Sequence, residues 1–221
     1  FKKIVEEKID TLRIGERKPN NKKEGFSTDE NKGCSATAIH EVGHAIVSLL
    51  QNMEPFEKIT ILPRGNALGY VKPSTKNELY TKKDFLNNIR ACMGGRVAEE
   101  LFYGDNISVG AAQDIQMATK LAEDMVAEFG MSDVIGMMSV KKNTGNYLEN
   151  NSEYTCSDTF RYEVEREVQN LLAKQMEIVR EELSRKKDII EKLARKVFDK
   201  ETMSGEEFTK EYNELLTGES N

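Results

Sequence analysis

The sequence predicts a mainly α-helical fold with one small β-hairpin. Apolar residues recur at helical spacing over most of the chain, and the longest stripe runs from Asp158 to Leu183. Two short strand patterns, Ile59–Leu62 and Ala67–Val71, flank a turn-forming Pro63–Asn66 segment. Both histidines of the chain lie in one predicted helix just before that hairpin. The predicted helices are Ser35–Leu50, Thr81–Ala91, Arg96–Phe102, Ala111–Phe129, Asp158–Leu183, Ser184–Phe198 and a last short one from Ser204.

Local patterns divide the chain into three parts. Residues 1–18 hold a short helical pattern that stands apart, and residues 19–33 are a polar linker. Residues 34–218 carry the other elements and are long enough to enclose an apolar core. We interpret the Asp158–Leu183 stripe as part of that core rather than as a partner-binding face.

Composition excludes some classes of function. The formal charge is −6, and basic and acidic residues are interspersed, which argues against a nucleic-acid surface. No apolar run approaches the roughly 18 residues of a membrane-spanning helix. The three cysteines, Cys34, Cys92 and Cys156, are widely separated and form no CxxC motif. This pattern is typical of a reducing compartment rather than of a disulfide-bonded domain.

His40, Glu41 and His44 form an HExxH motif within the helical segment ATAIHEVGHAIVSLL. Residues four apart lie on the same helix face, so the two imidazoles can bind one metal ion. Glu41 is offset by about 100° and can reach a water at that metal without ligating it. A single histidine on an apolar face is usually a core residue, but a pair with this glutamate predicts a zincin site.

A catalytic zinc needs a third protein ligand, and the chain has no third histidine. Asp114 shares a helical stripe with apolar residues such as Ala118 and Met125, and an acid on a core-facing stripe needs a partner. It could instead interact with the backbone N–H groups of the first helical turn. Glu99 is a second candidate, as a ligand or as a group that orients a histidine. Cys92 is a third candidate, although it fits a small buried apolar residue better.

Several longer motifs resemble the peptidase domain of the FtsH family of membrane-anchored AAA+ zinc proteases. The resemblance spans residues from about 35 to 210. It is carried, in order, by HEVGHAIV, ILPRGNALGYV, MGGRVAEELFYG, SVGAAQDIQMAT, EFGMSDVIG and ETMSGEEF. The opening FKKIVEEKIDTLRIG, within residues 1–18, also resembles the last helix of an AAA+ lid, followed by the family's linker.

The resemblance implies roles for individual residues. His40, His44 and Asp114 match the zinc ligands, and Glu41 matches the catalytic carboxylate. Glu99 is then left as a group beside a ligand rather than as a ligand itself. The strand Ala67–Val71 corresponds to the one beside the cleft, where an extended peptide can pair with its edge.

The resemblance also implies partners and a location. It predicts polypeptide substrates, a homo-hexamer, and an AAA+ ATPase domain elsewhere in the full-length protein. This chain has no GxxxxGK[ST] phosphate loop, so ATP is expected only on that other domain. Membrane attachment is expected only through an N-terminal segment outside this chain. The expected location is the reducing side of a membrane, the cytoplasmic face of the bacterial inner membrane.

The sequence therefore predicts a helical zincin-type metallopeptidase domain with a small β-sheet near its active site. Zinc-activated water, with Glu41 as general base, would hydrolyse peptide bonds of unfolded or membrane-protein substrates. Two alternatives stay open at this point. One is a non-catalytic ring module beneath an ATPase, which the intact Glu41 disfavours. The other is a free-standing zincin of another clan, with a glutamate as third ligand.

Overall fold

Helices dominate the computed structural model, which describes residues 35–62, 70–72, 81–143 and 152–218. The prediction of a mainly α-helical fold is confirmed. The predicted helix in residues 1–18 and the linker at 19–33 lie outside the described residues. The helices are α1 Ala36–Leu50, α2 Lys82–Tyr103, α3 Ala112–Glu123, α4 Asp158–Ser184, α5 Lys187–Lys200 and α6 Gly205–Thr217.

The described residues form two compact units. The first unit contains residues 35–62, 70–72, 94–112 and 180–218. The second contains residues 81–93, 113–143 and 152–179. Among the described residues, no helix combines the length and the hydrophobicity needed to cross a membrane.

A three-stranded antiparallel sheet lies in the first unit. The predicted hairpin is present as β1 Lys58–Thr60 paired with β2 Tyr70–Lys72, while residues 63–69 lie outside the described part. Strand β5, Thr202–Ser204, pairs with the other side of β1 and was not predicted. Ser204 ends this strand and caps α6 through its hydroxyl, so α6 begins at Gly205. Helix α1 packs against both β1 and β2.

The predicted break between the helices Thr81–Ala91 and Arg96–Phe102 is wrong, because α2 is continuous. Gly94 and Gly95 lower helix propensity, but in α2 they allow close packing against α1. A Cβ on Gly94 would lie 2.7 Å from the carbonyl oxygen of Gly43, which is closer than real Cβ atoms approach. The two backbones therefore meet where neither helix has a side chain.

The second unit has an apolar core built on α4. Val164 and Val168 of the predicted stripe are buried in it, so the interpretation of that stripe as core is confirmed. The predicted helix Ala111–Phe129 is α3 followed by a π-helical stretch, Asp124–Glu128. The buried members of the core are Ile89, Ala118, Ala122, Met125, Val126, Ala127, Ile135, Val140, Val164 and Val168.

A short two-stranded sheet borders this core. The Asn-rich sequence of Lys142–Ser152 predicts a loop, but the segment begins and ends in antiparallel strands. These are β3 Lys141–Asn143 and β4 Ser152–Tyr154. The prediction was wrong at both ends because three-residue strands in a polar, Asn-rich stretch leave no apolar alternation to detect. The residues between them lie outside the described part.

Candidate metal centre

Helix α1 carries both histidines, with His40 buried and His44 half-buried. Its N-cap is Ser35, whose hydroxyl accepts a hydrogen bond from the backbone N–H of Ala38 at 3.1 Å. This bond satisfies one of the free N–H groups of the first turn and so fixes where the helix starts. His40 is 8% exposed and Glu41 is 6% exposed, although polar side chains are usually exposed. Such burial indicates that these side chains serve a specific site.

The imidazoles of His40 and His44 lie against each other in a T-shaped arrangement. Their Nε2 atoms are 3.0 Å apart, and the ring planes lie at 76°. Two nitrogens that each lie about 2.0–2.1 Å from a tetrahedral zinc ion would be separated by about 3.3 Å. The observed spacing is therefore close to that of two imidazole ligands of one metal ion.

Glu99 fixes the orientation of the His40 ring. One carboxylate oxygen of Glu99 lies 2.6 Å from Nδ1 of His40. Glu99 is only 2% exposed. Burial by itself would raise the pKa of Glu99, but hydrogen bonds from His40 and Ser108 outweigh it and hold the pKa below its ordinary value. An ionised Glu99 accepts a hydrogen bond from the Nδ1–H group of His40, so Nε2 of His40 carries the lone pair that a metal needs.

Ser108 also bonds to Glu99, and Arg96 in turn bonds to Ser108. The backbone N–H of Ser108 donates to Glu99 Oε2 at 2.7 Å, and its hydroxyl lies 3.0 Å from Oε1. Arg96 donates from Nη2 to the carbonyl oxygen of Ser108 at 3.0 Å. Neither residue was singled out from the sequence, because both contacts depend on the turn that follows α2.

Gly95 leaves room beside the imidazoles. A Cβ at this position would lie 2.5 Å from Nε2 of His40 and 2.5 Å from Nε2 of His44. The space in front of both nitrogens therefore exists only because residue 95 has no side chain. Two imidazole nitrogens this close together are a donor set that suits zinc, so the residues present fit this metal.

The structure places the remaining predicted residues as follows. Glu41 is buried in α1, next to His40 in the sequence. Asp114 is half-buried in the first turn of α3, in the second unit. Burial raises the pKa of Cys92 to about 12, with a further contribution from the charge of Asp114. Cys92 therefore stays a protonated thiol near neutral pH, which disfavours it as a metal ligand.

Comparison with known proteins places the chain in a family. Residues 27–210 match the profile of peptidase family M41. An ATP-dependent zinc metalloprotease FtsH of Syntrophobacter fumaroxidans is 37% identical over 178 residues, which are 77% of this chain and 27% of that protein. The protein of the same name from Bacillus subtilis is 34% identical over 183 residues, 80% of this chain and 29% of that protein.

A plant relative extends the comparison. The ATP-dependent zinc metalloprotease FTSH 9, chloroplastic/mitochondrial, of Oryza sativa subsp. japonica is 39% identical over 178 residues, 79% of this chain and 21% of that protein. The chain thus spans about a fifth to a third of the length of the curated relatives it matches. Because the profile covers most of the chain, these matches show that the chain belongs to peptidase family M41, as a peptidase domain of the FtsH family.

Proposed function

We propose that the chain is a zinc-dependent endopeptidase domain. The observation that carries this proposal is the pair of imidazoles on α1, with their Nε2 atoms 3.0 Å apart and a gap in front of them at Gly95. Family membership supports the same conclusion, since the relatives described above are named zinc metalloproteases.

His40 and His44 would bind the zinc through their Nε2 atoms, and Glu99 orients the ring of His40 through the bond to Nδ1. Zinc at this position would polarise the carbonyl of a peptide bond and lower the pKa of a nearby water molecule. Glu41 accepts the proton of the attacking water and returns it to the leaving amine. The burial of Glu41 keeps its carboxylate out of bulk solvent, where competing water would weaken this proton transfer.

We infer that Asp114 is the third zinc ligand. It lies six residues after Ser108, which is bonded to Glu99, so the connecting chain can span at most about 20 Å. The resemblance supports the same assignment, because Asp114 stands in SVGAAQDIQMAT where the family has a zinc ligand.

Substrates are extended segments of polypeptide. Strand β2 is at one edge of the three-stranded sheet in the described residues, and α1 packs against it. An edge strand can pair with a peptide through backbone hydrogen bonds, with little dependence on side chains. This mode of binding suits unfolded chains or unfolded parts of membrane proteins, as the family resemblance implies.

In its full-length protein, the domain works with an AAA+ ATPase domain in a homo-hexamer. The ATPase partner is supported by the relatives, which are named ATP-dependent and of which the chain covers only a part. The hexamer is what the family resemblance implies. The ATPase domain binds the ATP, and a membrane anchor outside this chain holds the assembly on the reducing side of a membrane. We propose the cytoplasmic face of a bacterial inner membrane as that location.

The catalytic role of Glu41 can be tested with Glu41→Gln. We expect this variant to keep stoichiometric zinc, while cleavage of an unstructured protein such as casein falls by about 10²–10⁴-fold, because the general base is lost. Zinc is measured by elemental analysis and cleavage by gel assay. Undiminished cleavage by this variant, at full zinc loading, would contradict the proposed mechanism.

The ligand role of Asp114 is tested by Asp114→Asn. This change keeps the size of the side chain but removes the charge, so we expect the zinc content to fall well below one per chain. Glu99→Gln is the matched variant, because it alters a group beside the ligand and should weaken zinc binding by about 10–100-fold without abolishing it. If Asp114→Asn kept its zinc and Glu99→Gln lost it entirely, Glu99 would be the ligand.

A further inference from the structure

Glu99 receives three hydrogen bonds, which is more than orienting a single histidine requires. Oε1 is within bonding distance of Nδ1 of His40, at 2.6 Å, and of the hydroxyl of Ser108, at 3.0 Å. Oε2 accepts from the backbone N–H of Ser108 at 2.7 Å. Both oxygens are therefore fixed, so the carboxylate cannot rotate without breaking a bond to Ser108.

The direction of the Ser108 hydroxyl is set by its neighbours. The backbone N–H of Gly110 donates to this oxygen at 3.0 Å. Since Gly110 can only donate there, the hydroxyl proton is available for Glu99, which as a carboxylate can only accept. The hydroxyl thus connects the turn after α2 to the group that holds His40.

Arg96 stabilises this turn, but burying its guanidinium costs free energy. Its Nη2 donates to the carbonyl oxygen of Ser108, but its Nη1 is buried and has no hydrogen-bond partner among the described residues. A buried donor without a partner loses its hydration and gains nothing in return. The contact with Ser108 is therefore poorly explained as a contribution to stability alone, and well explained as a means of fixing the turn.

We propose that Ser108 and Arg96 are positioning residues of the metal centre. They act in series: Arg96 holds Ser108, Ser108 holds Glu99, and Glu99 holds His40 with Nε2 directed at the metal. This inference rests on the proposed function, because it assigns the network a purpose at the zinc site.

The test is the zinc affinity of the 221-residue chain, measured by competition with a chromophoric chelator. Ser108→Ala removes the hydroxyl bond to Oε1 and leaves the backbone bond to Oε2. We expect zinc binding about tenfold weaker, the lower end of what is lost with groups beside a metal ligand. Ser108→Thr keeps the hydroxyl and should restore the affinity to within about twofold of the original chain.

Ser132 provides a matched control. Its hydroxyl donates to Glu167 at 2.9 Å and accepts from the N–H of Val134 at 3.1 Å, so it bridges a turn to a glutamate in the same way. No histidine takes part in this bridge. Ser132→Ala should therefore remove a comparable hydrogen bond and leave the zinc affinity unchanged.

The outcomes separate this inference from the proposed function. If the original chain binds no zinc, the proposed function fails. If it binds zinc and Ser108→Ala binds it equally tightly, only the inference fails. An equal loss of zinc affinity in Ser108→Ala and Ser132→Ala would also overturn the inference, because the loss would then come from general destabilisation.

Arg96→Met keeps the test decisive if Ser108→Ala does not fold. The substitution removes the bond to Ser108 together with the unpartnered Nη1, so the thermal midpoint of the metal-free chain should change little. Zinc binding should weaken about three- to tenfold, because the turn is no longer fixed. Unchanged zinc affinity in Arg96→Met would exclude Arg96 from the hydrogen-bond network that holds His40. An absorption spectrum of the cobalt-substituted chain that is also unchanged would support the same conclusion.

Discussion

Helices α1 and α2 meet at Gly43 and Gly94 in the first unit, whereas side chains such as Met125 and Val164 separate the packed segments in the second. The first contact joins two backbones with no side chain between them. The second is an ordinary apolar core, in which several side chains share the space. The same chain therefore contains one contact that a single methyl group would disturb and another that flexible side chains can readjust.

The difference follows from what each contact must position. In the first unit the close approach brings Gly95 and Glu99 of α2 up to the imidazoles of α1. Imidazole nitrogens must lie within a few tenths of an ångström of their place to share one metal ion. In the second unit the core needs only to be filled. Exact atomic positions thus matter most at the candidate metal centre. We therefore expect substitutions in the first unit to affect zinc binding and those in the second to affect mainly stability.

The largest effect is expected for Gly95→Ala. The new Cβ would lie 2.5 Å from both Nε2 atoms, so the rings of His40 and His44 must turn away. Because these are the ends of side chains, the fold can adjust, and alanine favours the helix by about 1 kcal/mol over glycine. We expect a folded chain with zinc affinity reduced more than about 100-fold. Circular dichroism checks that the variant is folded, and chelator competition measures its zinc affinity. Tight binding of one zinc per chain by this variant would contradict the predicted site.

Gly43→Ala should instead reduce stability. Here the new Cβ would collide with the carbonyl oxygen of Gly94 and lie 2.7 Å from Cβ of Ala98, so backbone must move. Overpacking of this kind costs about 1–3 kcal/mol or more, which outweighs the gain in helix propensity. We expect a net loss of about 2 kcal/mol in the free energy of unfolding, measured in urea. Gly95→Ala is the matched control, and equal unfolding free energies for the two variants would remove the distinction between them.

Much of the fold could be predicted because long helices have a strong periodic signal. The stripe on α4 predicted both the helix and its buried face, and the comparisons confirm the predicted family. The motif around His40 predicted the metal centre, whose residue roles remain proposals. Glu99 could be noticed because it is an acid within the helical segment GGRVAEELF.

Other features could not be predicted because they depend on contacts distant in sequence. Strand β5 has only three residues, and it becomes a strand because Met203 pairs with Ile59. Gly94 and Gly95 indicated a break, since local propensity says nothing of the backbone of α1 that packs against them. Ser108 resembles any polar turn residue until the turn places it against Glu99.

The smallest effect is expected in the core of the second unit. Met125 is fully buried, but methionine is flexible and leucine has a similar volume. Met125→Leu should therefore change the free energy of unfolding by less than about 1.5 kcal/mol. Met125→Ala removes most of the side chain and should cost about 2–5 kcal/mol, because a cavity remains. Zinc affinity should be unchanged in the leucine variant. A loss of zinc on this nearly isosteric change would show that the second core positions the metal ligands as strictly as the glycine contact does, and the contrast between the two regions would fail.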